Sequence, residues 1–419
     1  MQNRNYNEKL IWLVNPYGPI PGESWRDYRF TLLGKELSSK SFRVIWFTSN
    51  YSHHFKEKRS CSWKDIEINE KFLIKLIPSY SYKKNIGFGR ILFHITYFIN
   101  ILREIQNSSE KPDLIIGVDS PQLIGLLANL IKKKYSIPLI IDIFDQWPEL
   151  FKLTLPKSIR FLHPVIFAPL FYIRNLIYIS ADGIVSLCKS YLKDALKILN
   201  ERNKNIPTSV FYNGIDLDQF IFSSGKKTNN EKLPKKSSYM KWLIYAGSLG
   251  NNYDIKTLLN AIKDLEKRNN LFFIIAGSGP FKEYLERFIF ENKLENVRFL
   301  GKIPHDALIL LYKNCDLALS CYDELSNVGM PDKSYDYISA GLPIINSLSG
   351  EFSKFIIDNQ LGVNYQAGNI KSLISSIDRL STNDNLINIM KKNCKKIAVK
   401  LDRKVQYSDY ANYIADFFN

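Results

Sequence analysis

Two rounds of one pattern constrain this chain more than any other feature. Short apolar, β-branched runs at 11–14, 43–47, 114–117, 139–143, 183–187 and 209–211 alternate with longer stretches of helical period. A second series starts at 242–246 and continues at 272–276, 297–300, 317–320 and 343–346, each run followed by a helical segment. Runs this short and this uniformly apolar, separated by helices, predict α/β architecture with doubly wound parallel sheets. Between the two series, residues 223–241 (SSGKKTNNEKLPKKSSYMK) are polar, Lys-rich and almost free of apolar side chains. That composition reads as a linker.

The expected organisation is a Rossmann-like domain at 1–222, a linker at 223–241 and a second Rossmann-like domain at 242–400. An aromatic-rich helical tail at 401–419 is expected to pack back on the first domain. The 419 residues suit two domains at roughly 100–200 residues each. Such sheets bind ligands at the carboxyl ends of their strands, with anionic groups on helix N-termini. A phosphate-bearing ligand in a cleft between the two domains is therefore expected, without its chemistry being named.

Charge agrees with an anionic partner. The 57 Lys and Arg against 41 Asp and Glu give a formal +16, which suits nucleic acid, an anionic lipid surface or a phosphorylated small molecule. Codon bias towards lysine produces the same excess, so charge alone does not choose. Five cysteines (Cys61, Cys188, Cys315, Cys321, Cys394) are scattered without a Cys-x-x-Cys pair. They argue against a disulfide framework and a cysteine-built zinc site. The first ten residues are polar and carry no apolar signal core, so a cytoplasmic, reducing environment is expected.

Two apolar stretches bear on membranes. The run 91–102 lies between Arg90 and Arg103 and contains His94 and Asn100. As a helix it spans about 18 Å, against about 30 Å for a bilayer core. The run 161–179 is interrupted by His163, Pro164, Arg174 and Asn175. Neither predicts a transmembrane helix. Both suit buried helices, or segments lying in the interface of an anionic membrane with basic flanks at the headgroups.

The most informative segment is NVGMPDKSYDYISAGLP at 327–343. Gly329 and Pro331 predict a tight loop and a helix start, and Lys333, Asp336 and Tyr337 then share one helical face. A helix N-terminus beside a lysine is a competent diphosphate site. An Asp one turn further on can accept from two vicinal hydroxyls, as a ribose presents. The same spacing also serves an ordinary Lys–Asp pair on an amphipathic helix.

This segment resembles the family-4 glycosyltransferases of the GT-B fold, particularly the bacterial branch that builds O-antigen and capsule. That branch carries Gly-x-Pro-x-Lys-x-x-Glu-Tyr-x-x-x-Gly-x-Pro, matched here at Gly329, Pro331, Lys333, Tyr337, Gly341 and Pro343, with Asp336 in place of Glu. Further landmarks follow the family's order: Asn213-Gly-Ile-Asp216, Gly277-Ser-Gly-Pro280, and Val297 to Gly301 with Pro304 beyond. Asp145-Gln-Trp-Pro-Glu149 is similar to its Asp-x-Trp-Pro-Glu element, and Arg29 with Leu33 and Leu37 to its first helix.

The resemblance implies a retaining transferase that takes a nucleotide-diphosphate sugar and passes the sugar to a lipid-linked glycan acceptor in surface polysaccharide synthesis. It implies a donor bound mainly by the C-terminal half and an acceptor bound by the N-terminal half, with peripheral membrane association. By position, Lys333 contacts the diphosphate and Asp336 the ribose. Gly247, Ser248, Gly277, Gly279, Gly329, Met330 and Tyr337 line the donor site. The loop 17–22, with Gly18 and Gly22, offers backbone N–H groups to a phosphate, although Pro19 and Pro21 remove two donors. Asp119, at an expected strand end, is a candidate to orient an acceptor hydroxyl, with Asp145 and Glu149 as alternatives, and Arg29 and Trp147 are further acceptor-side candidates. No metal or other cofactor is expected.

The departures are specific. The family's Glu eight residues before the ribose acid is Val328 here, and two cationic diphosphate contacts correspond to Ser248 and Tyr253. That places extra weight on Lys333. Two other classes of function stay open on sequence grounds: a GT-B sugar-nucleotide 2-epimerase without an acceptor, and a basic membrane-surface or nucleic-acid binding module. Asp216-Leu-Asp218 is taken as a coincidental Asp-x-Asp, and His53-His54 lacks the spacing of a metal pair.

Overall fold

A computed structural model describes residues 8–23, 28–85, 87–222 and 236–418. Most of the expected linker, 223–235, lies outside the described residues. The chain forms two compact units, one of Met1–Asn213 with Tyr407–Asn419 and one of Gly214–Gln406.

The N-terminal unit contains β1 (Leu10–Val14), β2 (Arg43–Ser49), β3 (Tyr51–Ser52), β4 (Glu57–Lys58), β5 (Lys64–Asn69), β6 (Phe72–Ile77), β7 (Leu114–Val118), β8 (Leu139–Ile143), β9 (Gly183–Ser186) and β10 (Thr208–Val210). Eight of these form one sheet in the order β10-β9-β8-β7-β1-β2-β6-β5, with β3 and β4 paired apart. Every pairing in the large sheet is parallel except β5 on β6. Strands β1, β7 and β8 are buried throughout, as parallel strands covered by helices on both faces must be. Strand β5 went unseen in the sequence because its KDIEIN alternation leaves one face polar. It closes the sheet as a charged antiparallel edge, which discourages pairing with other chains.

The end of the chain belongs to this core. On the helix Arg403–Ala415, the residues Tyr407, Tyr410, Ala411 and Ile414 are buried within it, and Tyr410 stacks on Phe211 at 4.7 Å.

The C-terminal unit carries β11 (Lys241–Ala246), β12 (Leu271–Ala276), β13 (Val297–Gly301), β14 (Leu317–Ser320), β15 (Ile344–Asn346) and β16 (Gly362–Asn364). Their order is β13-β12-β11-β14-β15-β16, parallel throughout. Strand order reverses at β11, which has β12 on one side and β14 on the other. In the N-terminal unit β1 is the equivalent strand, between β2 and β7. A crevice opens at the carboxyl ends of such strands because their crossover helices depart to opposite faces. Both units are thus Rossmann-like, as the sequence pattern predicts.

Among the described residues no single helix is long and apolar enough to cross a membrane. The helix pair Lys157–Ile166 and Ala168–Ser180 meets the length and composition together, but bends by 46°.

Candidate functional site

In the C-terminal unit the site begins where β11 and β14 end. The chain leaves β14 through a loop, and Pro331 stands at the N-cap of the helix Asp332–Ser339. Ser334 closes that start by donating its hydroxyl to the Pro331 carbonyl at 2.6 Å. Lys333 is the second helical residue and reaches back along the end of β11. A side chain added at Gly247 would meet its Cδ and Nζ at 3.6 Å, so the glycine leaves room for the lysine stem.

The Lys333 ammonium is buried and has no hydrogen-bond partner among the described residues. Three tyrosine rings surround it, with centroids 4.5 Å (Tyr245), 4.6 Å (Tyr253) and 4.5 Å (Tyr322) from Nζ. Burial pushes its pKa down to about 7, opposed only by Cys321 at the end of β14. Cation–π attraction returns about 0.5–2 kcal/mol per ring, set against the several kcal/mol that removing an ammonium from water costs. Spacing alone points to Lys333 but not to its cage. The only available signal was three tyrosines at or just past the ends of two neighbouring strands.

Asp336 sits one turn beyond Lys333, is buried, and is engaged within the chain. Gly329 and Met330 are buried at the approach to the helix. Tyr337 does not belong with them, contrary to expectation. Its hydroxyl accepts from the Ala246 N–H at 2.9 Å and lies 3.3 Å from the Ala246 and Leu319 carbonyls, tying the helix to β11 and β14. It is a positioning residue in the core.

The glycine loops also have a different cause from the one the sequence suggests. A Cβ on Gly277 would lie 1.8 Å from the Gly247 carbonyl oxygen, and one on Gly279 would lie 2.4 Å from that of Leu249. The loop N–H groups of Gly247 and Leu249 instead extend the ladder, donating to Ala276 and Ser278 at 2.9 Å each. These glycines permit close approach of two backbones. Ser248 is exposed beside them, and its carbonyl accepts from Tyr245 at 2.6 Å. Val328, where the resemblance calls for Glu, is half-buried.

A second constellation occupies the carboxyl ends of β1, β7 and β8 in the N-terminal unit. Asp119, just past β7, is buried and accepts from the Tyr178 hydroxyl at 2.8 Å, while its other carboxyl oxygen has no partner. Burial pushes its carboxyl up to about 7. The helix Phe88–Asn107 contributes Arg90, whose guanidinium lies 5.1 Å from the Trp147 ring and 5.7 Å from that of Tyr17. The Tyr17 hydroxyl meets His94 Nε2 at 2.5 Å, and Phe93 stacks on the Tyr17 ring. Burial lowers His94 to about 3 and His53 to about 4, so both imidazoles are neutral at physiological pH. Asp145 is exposed, and Glu149 is paired with Arg174. The sequence pointed to Asp119, Asp145 and Trp147 but not to Tyr17 as a side chain, Arg90 or His94.

One expectation on this side is overturned. Arg29 is not available to an acceptor: it is buried, forms a bidentate pair with Asp142 at 2.7 and 2.9 Å, and donates to the Phe211 carbonyl. In the loop 17–22, two of the N–H groups are engaged close by in the chain. Tyr17 N–H donates to Asn15 at 3.0 Å and Ile20 N–H to the Glu23 carboxylate at 3.0 Å. Arg59 holds that carboxylate and the Gly18 carbonyl. Among the described residues no group of three or more His, Cys, Asp or Glu side chains is placed to hold a metal ion. Asp218 of the Asp-x-Asp is paired with Lys404.

Residues 226–397, the part carrying the lysine site, match the family model described as "Glycosyl transferases group 1". An uncharacterized glycosyltransferase of Methanocaldococcus jannaschii is 25% identical over 218 residues. That match takes in 51% of this chain and 54% of the relative, so it spans about half of that protein's length. Sucrose-phosphate synthase from Thermosynechococcus elongatus has the same fold, with a TM-score of 0.71 at 14% identity over 98% of this chain and 99% of that one. HepE of Anabaena, solved with UDP, gives a TM-score of 0.66 at 14% identity over 97% and 100%. The fold is therefore GT-B, and residues 226–397 are similar to the glycosyl transferases group 1.

Proposed function

We propose that this chain moves a sugar from a nucleotide-diphosphate sugar to a glycan acceptor with retention of anomeric configuration. The observation that carries the reading is the Lys333 ammonium, buried without a polar partner at a helix start and at the strand-order reversal of its sheet. A cation so placed is costly until an anion meets it. Strand ends beside a helix N-terminus suit a diphosphate. The UDP held by HepE of Anabaena, a neighbour in fold, supports a nucleotide as that anion.

In this reading Lys333 bonds a phosphate oxygen and offsets the charge that develops on the departing diphosphate. Asp336 takes the ribose hydroxyls. The N-terminal unit holds the acceptor, with the Trp147 and Tyr17 rings as platforms for sugar faces and Asp119 orienting a hydroxyl. The bond from the anomeric carbon to the phosphate oxygen breaks, and the acceptor oxygen bonds that carbon on the same face. The leaving phosphate takes the acceptor's proton, and no metal or other cofactor enters.

A lipid-linked acceptor at the inner face of a bacterial plasma membrane fits the surface of the N-terminal unit. Phe88, Ile91, Ile95 and Ile99 expose a stripe along one helix, and Phe161, Val165 and Tyr172 expose apolar surface on the bent pair. Lys83, Lys84, Lys152 and Lys157 are exposed nearby in the chain, the pattern of an interfacial segment on anionic lipid. O-antigen or capsule synthesis is the process this reading implies.

Calorimetric titration with UDP, GDP and dTDP tests the donor site. One of them is expected to bind the wild type and to lose at least about thirtyfold in affinity with Lys333→Ala, the scale for losing a desolvated charge pair. Failure of all three to bind at millimolar concentration contradicts the reading.

A further inference from the structure

The cage around Lys333 is a complete surrounding in its own right. Tyr245 is fully buried on β11, and its ring is fixed by the bond to the Ser248 carbonyl. Tyr322, just past β14, is buried and packs against Tyr253 at 5.0 Å. Tyr253 is the half-buried wall, following the glycine loop at the end of β11. With rings on three sides and no polar atom in reach, the ammonium cannot bond a phosphate oxygen from where it lies. Either the side chain withdraws or a wall moves.

We propose that Tyr245, Tyr253 and Tyr322 are a holding site for Lys333 that competes with the donor's diphosphate, so that donor uptake draws the lysine from the cage and one proton from solvent onto Nζ. This rests on the proposed donor site and adds a coupling to it. The coupling follows from the exchange of surroundings. Inside the cage the charged form is disfavoured by lost hydration, and beside a diphosphate it is favoured by an opposite charge.

The groups facing the amine are the three tyrosines and Cys321. Burial raises the Cys321 thiol to about 12, so it is neutral alongside them. Asp332, on the lysine's own helix, and Asp254, after Tyr253, bear on the tyrosines and on Cys321. Tyr253 occupies the position where the resembling family has a second cation. Here a ring at that position encloses the remaining cation.

The test is nucleoside diphosphate affinity against pH, using whichever of UDP, GDP or dTDP binds the wild type. Wild-type affinity is expected to weaken about tenfold per pH unit between pH 7.5 and 9.5, because the amine must gain a proton to bind. Tyr253→Ala, which admits water to the cage, is expected to move the break upward by about one pH unit or more, and Tyr253→Phe to leave it in place. Lys333→Ala is expected to bind weakly with no break. A wild-type affinity independent of pH, or an unchanged break in Tyr253→Ala, overturns the cage while leaving the donor site standing. If nothing binds the wild type at any pH, the donor site falls as well.

Should Tyr253→Ala fail to fold, binding heats of the wild type in two buffers of different ionisation enthalpy at pH 8.5 read the same claim. Uptake approaching one proton per nucleotide supports it, and no uptake overturns it.

Discussion

Arg29 and Lys333 are both buried cations, one in each Rossmann-like unit, and they have opposite surroundings. Arg29 has a carboxylate on two of its nitrogens and a carbonyl on a third, and its guanidinium lies 5.0 Å from the Tyr410 ring. Asp142 holds its pKa above the usual arginine value despite burial. Lys333 has rings alone, and burial takes its pKa down. The lesson is one of satisfaction. A buried charge whose partners are all present belongs to the architecture, whereas one left without them is a candidate ligand site.

The sharpest way to break this contrast is to remove each charge and read stability. Arg29→Met is expected to destabilise by about 3–5 kcal/mol in urea denaturation, because Asp142 is left buried and unpaired. Lys333→Met is expected to stabilise by about 1–4 kcal/mol below pH 7, since no partner is stranded. That gain should fade as pH rises from 7 towards the ordinary lysine range, where the wild-type amine is neutral in the folded state. Equal losses in the two variants would erase the distinction.

A change in the packing that presents the lysine comes next. Gly277→Ala drives a Cβ into the Gly247 carbonyl at a backbone φ of 152°, and should lower stability by about 2–3 kcal/mol. Because the cause is backbone approach, nucleotide affinity in the surviving folded fraction should change far less than in Lys333→Ala. Thermal melts with and without nucleotide separate the two effects.

The smallest expected effect concerns Asp119. Its folded pKa of about 7 lies above the ordinary carboxylate value, so wild-type stability is expected to fall as pH rises from about 4 through 7. Asp119→Asn lacks that slope and should equal or exceed the wild type by about 1 kcal/mol at pH 8, a small net of lost desolvation against a retained hydrogen bond. A parallel pH dependence in both proteins would show that burial of Asp119 does not set that slope.

The fold was legible because its central strands are buried on both sides and read as continuous apolar runs, with helical period between them. The edge strand β5 escaped because half of its side chains face water. Of the proposed site, the placement of Lys333 and Asp336 one turn apart at a helix start was legible through spacing. What spacing cannot carry is which atoms are already bonded. Arg29 and Tyr337 have chemistry suited to a ligand, and in each case it is engaged within the chain by residues far away in sequence, such as Asp142 and Ala246. The tyrosine cage was hidden for the same reason, since its walls are drawn from three separate stretches.

The most direct measurement is a structure of the chain with a bound nucleoside diphosphate. The account predicts Lys333 Nζ within hydrogen-bond distance of a phosphate oxygen and withdrawn from the three rings. A nucleotide ordered elsewhere, with the ammonium still enclosed by Tyr245, Tyr253 and Tyr322, would contradict it.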